Sequence, residues 1–439
     1  MDGGLIEVGK EAGHETRVNK WSLTMAWWAL FSAMFWLYVS TASSAAYGAK
    51  NTLIGMVLAT VTFGIINRVL AAYALRTRAT VERLSSALFG TVGATVATLL
   101  IAATALYYAV FEGSIIALTL QDWFGGNLKV WYAVCVIYAV PLAFGGVRNW
   151  LDRLNGFLLP FYCVGLIALV IASTVRQGYP TGWLSVPAAA TEVPGWLGAF
   201  LIYMGIWVMM LFTIDFASLG REEDTKFHQR VTFGSFFYFC TFIINGLVGM
   251  YIVSAFGVSG TETGVVQAVT GSLGFLGVLL VVISQTRINT ANYFLASNNF
   301  ATFIQRVFGV KLPHIAWVAL CGVLAYSFML TDVLNYLLEA LAWQGVLIIA
   351  WTGVALVHAL TNGRSDTVEG LERRTPRAGL GIAWALASVV GLVTLQLDGS
   401  PTIKTLSPVF TVVISVAIAY VVSRQSERQG AHEVAEQVS

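Results

Sequence analysis

The chain has 439 residues, of which 57% are hydrophobic and 11% charged, with mean hydropathy +0.74 and formal net charge +2. Soluble domains carry about 25% charged residues, so the composition excludes an ordinary water-soluble protein, and 42 Gly with 9 Pro exclude a collagen-like or disordered chain. The near-neutral balance leaves no electrostatic case for a nucleic-acid partner.

In chain order, residues 1–20 are polar and contain acids, with no apolar core or cleavage site. They read as a cytoplasmic tail rather than a signal peptide, so the first span is expected to target the chain. A spanning helix needs about 20 mostly apolar residues. Twelve such segments follow, at roughly 21–47, 51–75, 87–119, 129–147, 154–175, 196–219, 229–256, 273–300, 313–330, 334–360, 378–396 and 401–423. The loop at 176–195 holds Pro180, Pro187 and Pro194 beside Trp183 and Trp196, and reads as an outer loop anchored by aromatics. Residues 361–377 form a polar loop between a ten-span core (21–360) and two further spans (378–423), and 424–439 read as a second cytoplasmic tail. With the N-terminus inside, cytoplasmic segments hold 19 Lys and Arg and outer segments hold four, Lys50, Lys129, Arg176 and Lys404. A wrong span count would scramble that alternation, so it supports both count and orientation. The expected location is the plasma membrane, the inner membrane of a bacterium.

The four cysteines, Cys135, Cys163, Cys240 and Cys321, lie far apart in apolar blocks and read as buried small hydrophobes, with no spacing for a metal or disulfide framework. No P-loop, HExxH or nucleophile constellation is present. No enzyme and no cofactor are expected, and transport energy should come from an ion or substrate gradient.

Ionisable groups at bilayer depth are costly and mark pathways, relays or buried pairs. Glu112 lies deep in the third span, with Tyr108 one turn earlier and Gly113 beside it. It reads as a substrate- or proton-binding acid, or as a paired structural acid. Arg287 sits in a polar stretch of the eighth span, SQTRINTANYFLASNN, where Asn289 and Asn292 share a face. It reads as a fixed cation in the binding region, or as a structural clamp. That stripe must face protein or a watery cavity. Asp215 reads as a partner of Arg221, Arg68 as a buried pair member or interfacial residue, His358 as interfacial, and Asp332 and Glu339 as solvated. The aromatic cluster around Ser32 in the first span reads mainly as helix packing. Gly205 before Trp207 could unwind the sixth span locally.

Three segments then carry a resemblance. ALRTRATVERLSSALFGTVGA (74–94) resembles the "aRTGLs…LL.r..FG..G" segment of the nucleobase-cation-symport-one family, within the amino acid-polyamine-organocation superfamily. TIDFASLGREEDTKFH resembles its "n.pDfsRfak" segment and TRINTAN its "sTNtaAN" segment, in order, across about residues 18–360. Members are permeases for cytosine, purines, uracil, allantoin, hydantoins and thiamine-like compounds. The resemblance implies an all-α membrane fold, a core of two inverted five-helix repeats with helices 1 and 6 broken, and alternating access by a bundle rocking on a scaffold. It places substrate on Tyr108, Glu112, Trp207 and Asn292, with Gly205, Ile206, Asn289 and Ser32 nearby. Two departures from the family pattern stand out. Glu112 replaces a neutral amide, which suits a donor-rich or cationic ligand edge, or proton coupling. Thr286 and Arg287 fall where sodium-coupled members carry paired hydroxyls; at an effective dielectric of about 20, unit charges 4 Å apart interact by about 4 kcal/mol, so Arg287 should replace the ion. The expected function is secondary import of a small planar nitrogen compound, sodium-independent, with H+ preferred over Na+ as coupling ion. The alternative is transport or exchange of a cationic guanidine- or amine-type compound. The expected partners are a small-molecule substrate and the bilayer, with a monomer a sufficient unit.

Overall fold

The structure, a computed structural model, describes residues 17–144, 152–189, 191–331 and 337–438. The first 16 residues of the tail, Arg148, Asp332 and Asn335 therefore lie outside the described residues. The described chain is all-helical. Eight helices are long and apolar enough to cross a bilayer, and α1 (Lys20–Trp27) with α2 (Phe35–Tyr47) forms a ninth span bent by 42°. Two shorter apolar helices, α5 (Leu128–Ala143) and α14 (His314–Met329), and the 34-residue α13 (Phe275–Phe308) complete the twelve. α13 falls short on hydropathy alone, because of its polar stripe.

The surface confirms the membrane reading. On α6 (Asp152–Gln177), Phe157, Phe161, Val164, Ile167, Ile171 and Val175 are exposed at helical spacing. The polar stripe of α13 is turned inward instead: Ser284, Gln285, Arg287, Asn289, Thr290, Asn292 and Ser297 are all buried. Apolar outside and polar inside is the arrangement lipid requires. Cys135 and Cys321 are buried as expected, whereas Cys163 is exposed on the apolar face of α6.

Helix breaks stand in spans one and six. Between α1 and α2 the chain makes a short turn at Leu30–Ser32 and an extended step at Ala33 (φ −60°, ψ 129°). Between α7 (Gly195–Met204) and α8 (Val208–Ala217) it loosens at Gly205–Trp207. α3 (Ala49–Thr77) leads to α4 (Val81–Phe124), whose 44 residues at about 1.5 Å rise each exceed any bilayer. Gly90, with φ 76°, kinks it, so the spanning part starts after Gly90. Only glycine adopts that conformation without penalty.

The seventh span passes through α9 (Thr225–Phe227), α10 (Ser235–Tyr238) and α11 (Asn245–Phe256), with π turns at His228–Thr232 and Phe239–Ile244. The connection to the eighth span contains a further helix, α12 (Glu262–Leu273), started by the Thr261 hydroxyl accepting from the Gly264 N–H. α15 (Leu337–Leu360) closes the ten-span core. After α16 (Val368–Glu372), helices α17 (Ala378–Leu395) and α18 (Pro401–Val438) pack on α15.

Several side chains differ from expectation. Asp215 does not pair with Arg221; its Oδ1 accepts from the Val81 N–H at 2.8 Å, capping α4, while Arg221 reaches Glu223. A half-buried carboxylate at a helix N-terminus meets both an unpaired N–H and the positive end of the dipole. His358, near the end of α15, is 2% exposed, with Nε2 2.9 Å from Asp366. Arg68 is exposed, which excludes the buried pair but not the interfacial reading, and its carbonyl accepts from Gln229.

Candidate functional site

The two breaks meet α4 and α13 in the middle of the bundle. The first break is held by side chains on its carbonyls. The Trp28 carbonyl accepts from Arg287 Nη2 at 3.1 Å, Ala29 from the Ser32 hydroxyl at 2.8 Å, and Leu30 from Trp36 Nε1 at 2.6 Å. Phe31 accepts from Asn245 Nδ2 at 2.8 Å, and Ser32 from the Ser284 hydroxyl at 2.6 Å. Five successive carbonyls thus each have a side-chain donor. An unwound stretch inside a membrane is tolerated only when its backbone is satisfied in this way. Tyr162 fixes Asn245 by donating to its Oδ1 at 2.7 Å.

On the other side of the break, the Met34 N–H at the start of α2 donates to Gln285 Oε1 at 3.0 Å. Gln285 Nε2 in turn donates to the Glu112 carboxyl and, at 3.4 Å, to the Glu112 carbonyl. One amide therefore bridges α2, α4 and α13.

Beside this bridge is a small cavity. Phe35 and Trp36 from α2, Tyr108 and Glu112 from α4, Ile206 from the second break, Phe212 from α8 and Asn292 from α13 line it. Phe35 meets the Tyr108 ring edge-on, with centroids 5.8 Å apart. The cavity has room for about one water. A planar ring enters only if the aromatic walls part. Glu112 is the cavity's one ionisable carboxyl, and Asn292 Nδ2 and the Tyr108 hydroxyl are buried without a hydrogen-bond partner. Such atoms cost about 1–3 kcal/mol each, and apolar walls with a few convergent polar groups are the usual make-up of a ligand site.

Four of the expected site residues, Tyr108, Glu112, Ile206 and Asn292, thus come together. The others sit around them. Trp207 is buried in the second break with its indole N–H unpartnered, and Gly205 donates its N–H to Leu201 and Ile202; neither lines the cavity. Asn289 faces Gly113 and has an unpartnered Oδ1. Ser32 is engaged with the Ala29 carbonyl. Thr286 turns away, donating to Val282 and lying 2.9 Å from the Tyr138 hydroxyl. It is separated from Arg287 because adjacent helical residues point about 100° apart. Arg287 is 0% exposed, bonds to the Trp28 carbonyl, and does not line the cavity. Gln285 was missed, although a signal was present: Gln285, Ile288, Asn289 and Asn292 follow the i, i+3, i+4, i+7 spacing of one helix face.

No protein-family model matches the chain, and no curated protein matches its sequence. Solved structures do. The chain is similar to the inward-facing conformation of Mhp1, with TM-score 0.71 and 17% identity, covering 94% of this chain and 92% of that one. It is similar also to Mhp1, a nucleobase-cation-symport-1 family transporter, closed with bromovinylhydantoin bound, at TM-score 0.70 and 17% identity over 93% and 94%. A substrate-bound, outward-open Na+-coupled sialic acid symporter follows, at TM-score 0.63 and 12% identity over 93% and 90%. The chain has the fold of these secondary transporters: a multi-pass membrane protein with a five-plus-five inverted-repeat core whose helices 1 and 6 are broken. Among the described residues no group of three or more His, Cys, Asp or Glu is placed to hold a metal.

Proposed function

We propose that this protein is a sodium-independent secondary transporter of a small planar nitrogen compound, a member of the nucleobase-cation-symport-one family working by alternating access. The observation that carries the reading is the cavity between the two broken helices, where the Tyr108 ring, the Glu112 carboxyl and the Asn292 amide converge. An aromatic face suits a planar ring, and the acid and amide suit the polar edge of a heterocycle. The shared fold with Mhp1, and the bromovinylhydantoin bound to that protein, support the same class of ligand.

Sodium independence rests on the first break. In transporters of this architecture unwound carbonyls help to hold the ion. Here a guanidinium already occupies the Trp28 carbonyl, and the next four each have a neutral donor. Glu112 is the group for proton coupling. The groups that interact with it are Tyr108 on its own helix, Gln285 on α13 and Tyr162 on α6.

A cationic guanidine- or amine-type ligand is the second reading. It is favoured by the absence of Arg287 from the cavity lining, which leaves Glu112 and the aromatic rings to meet a cation. A thermal-shift screen of purified protein against nucleobases, hydantoins and guanidines, in sodium and in choline buffer, separates the two. Stabilisation by neutral heterocycles in either buffer is the expected result. Stabilisation by guanidines alone selects the second reading, and strict sodium dependence rejects both.

A further inference from the structure

The geometry points to Gln285 as a latch that ties the ligand-recognition acid Glu112 to the hinge of the first helix. Its carboxamide is planar and short. The donor end is on Glu112 and the acceptor end on the Met34 N–H, 3.0 Å away. Both ends lie in fully buried surroundings, where no water competes for either bond. Met34 is the N-cap of α2, the half-helix that supplies Phe35 and Trp36 to the cavity wall. A ligand that puts an N–H on Glu112 Oε2, the oxygen that Gln285 holds, competes with Gln285 Nε2 for that acceptor. Once Nε2 is displaced the amide rotates, Oε1 leaves Met34, and α2 loses its tie to α13. Substrate arrival at Glu112 is thereby converted into release of the half-helix that must move for the aromatic wall to part. In the empty site Gln285 acts as a built-in stand-in for the ligand's donor. It is a positioning residue: it selects ligands whose donor outcompetes an amide, and it couples binding to opening.

The functional consequence rests on Glu112 being the ligand-recognition acid, but the latch itself is read without any ligand. The measurement is amide hydrogen exchange over residues 30–38 of the full chain in lipid nanodiscs, with melting temperature recorded in parallel. Gln285→Leu removes both bonds and should speed exchange there roughly fivefold or more, the effect of losing about one net hydrogen bond. Glu112→Ala frees the donor end and should do the same from the opposite side, so the latch is tested even if one variant folds poorly. Glu112→Gln keeps an acceptor for Nε2 and should stay near wild type, which a merely volume-filling role for Gln285 would not predict. The Gln285→Leu, Glu112→Ala double variant should exchange no faster than the faster single, because both act on one linkage. Unchanged exchange in Gln285→Leu, or fully additive effects in the double variant, overturns the latch. Neither result bears on which compound is transported, and a failed ligand screen leaves the exchange result standing.

Discussion

Arg287 is the residue on which the coupling reading turns. It is wholly buried, makes one bond to the Trp28 carbonyl, and leaves Nε and Nη1 without hydrogen-bond partners. A guanidinium stays protonated under working conditions, so its charge is a permanent feature of the break. Arg287→Ala is expected to lower uptake at least tenfold, because the break loses the cation that holds its first carbonyl. Millimolar guanidinium should restore part of that loss by refilling the space. Full activity of Arg287→Ala in sodium-free buffer would show that the guanidinium does no work. Glu112 gives a complementary expectation. Glu112→Gln preserves the bond to Gln285 but cannot release a proton, so it should abolish proton-driven accumulation and spare exchange of substrate across the membrane. Measured uptake with and without a proton gradient decides it; accumulation unchanged in Glu112→Gln removes the relay role.

At the scale of elements, the transport fold depends on half-helices packed closely enough to move as units. α11 lies against α2 at Gly249, where an added Cβ would come 2.5 Å from the Leu37 carbonyl oxygen. Backbone cannot yield as a flexible side chain does, and overpacking of this kind costs about 1–3 kcal/mol. Gly249→Ala should lower the melting temperature and slow uptake, whereas Gly381→Ala, in α17 with no atom near the new Cβ, should leave packing undisturbed. Thermal unfolding of the two variants side by side checks this. The breaks themselves were legible in part. Gly205 beside Trp207 announced the second, because glycine weakens a helix locally. The first was not announced by glycine or proline: residues 28–34 read WALFSAM, with no helix breaker among them, and the break is held by Arg287, Asn245, Ser284 and Gln285 from distant spans. Only the family resemblance placed it. The same limit explains Gln285. Its helical face was visible in the sequence, but that it reaches both Met34 and Glu112 depends on how three helices meet. Asp215 shows the converse, since a nearby arginine in sequence suggested a pair and the fold offered a helix N-terminus instead.

For the whole molecule, the connection between the ten-helix core and the last two helices is more than a tether. Asp366 in that connection is 7% exposed and draws together three elements. It accepts from Tyr73 of α3 at 2.8 Å, lies 2.9 Å from His358 Nε2 of α15, and pairs with Arg374. Arg76 of α3 adds a bond to the Gly363 carbonyl. α17 is joined to the core by Trp384, whose indole donates to the Leu347 carbonyl at 3.0 Å and whose ring packs on Phe89, centroids 4.8 Å apart. Burial alone would raise the Asp366 carboxyl, but the hydrogen bonds from His358 and Tyr73, with the neighbouring positive charge of Arg374, outweigh it and hold the group down at about 2. A carboxylate whose folded value lies below its unfolded one, near 3.9, stabilises the folded state above the unfolded value and ceases to do so as pH falls through the folded one. The difference corresponds to at most about 2.6 kcal/mol. Asp366→Asn should therefore melt below wild type at neutral pH, and the margin should shrink as pH falls from about 4 towards 2, where the wild-type carboxyl takes up its proton. A margin independent of pH down to 2 would mean that Asp366 acts through shape rather than charge. Loss of this cluster should also loosen the packing of α17 and α18 on α15, because Asp366 and Arg374 fix the connection on the α3–α15 side just before α17 begins.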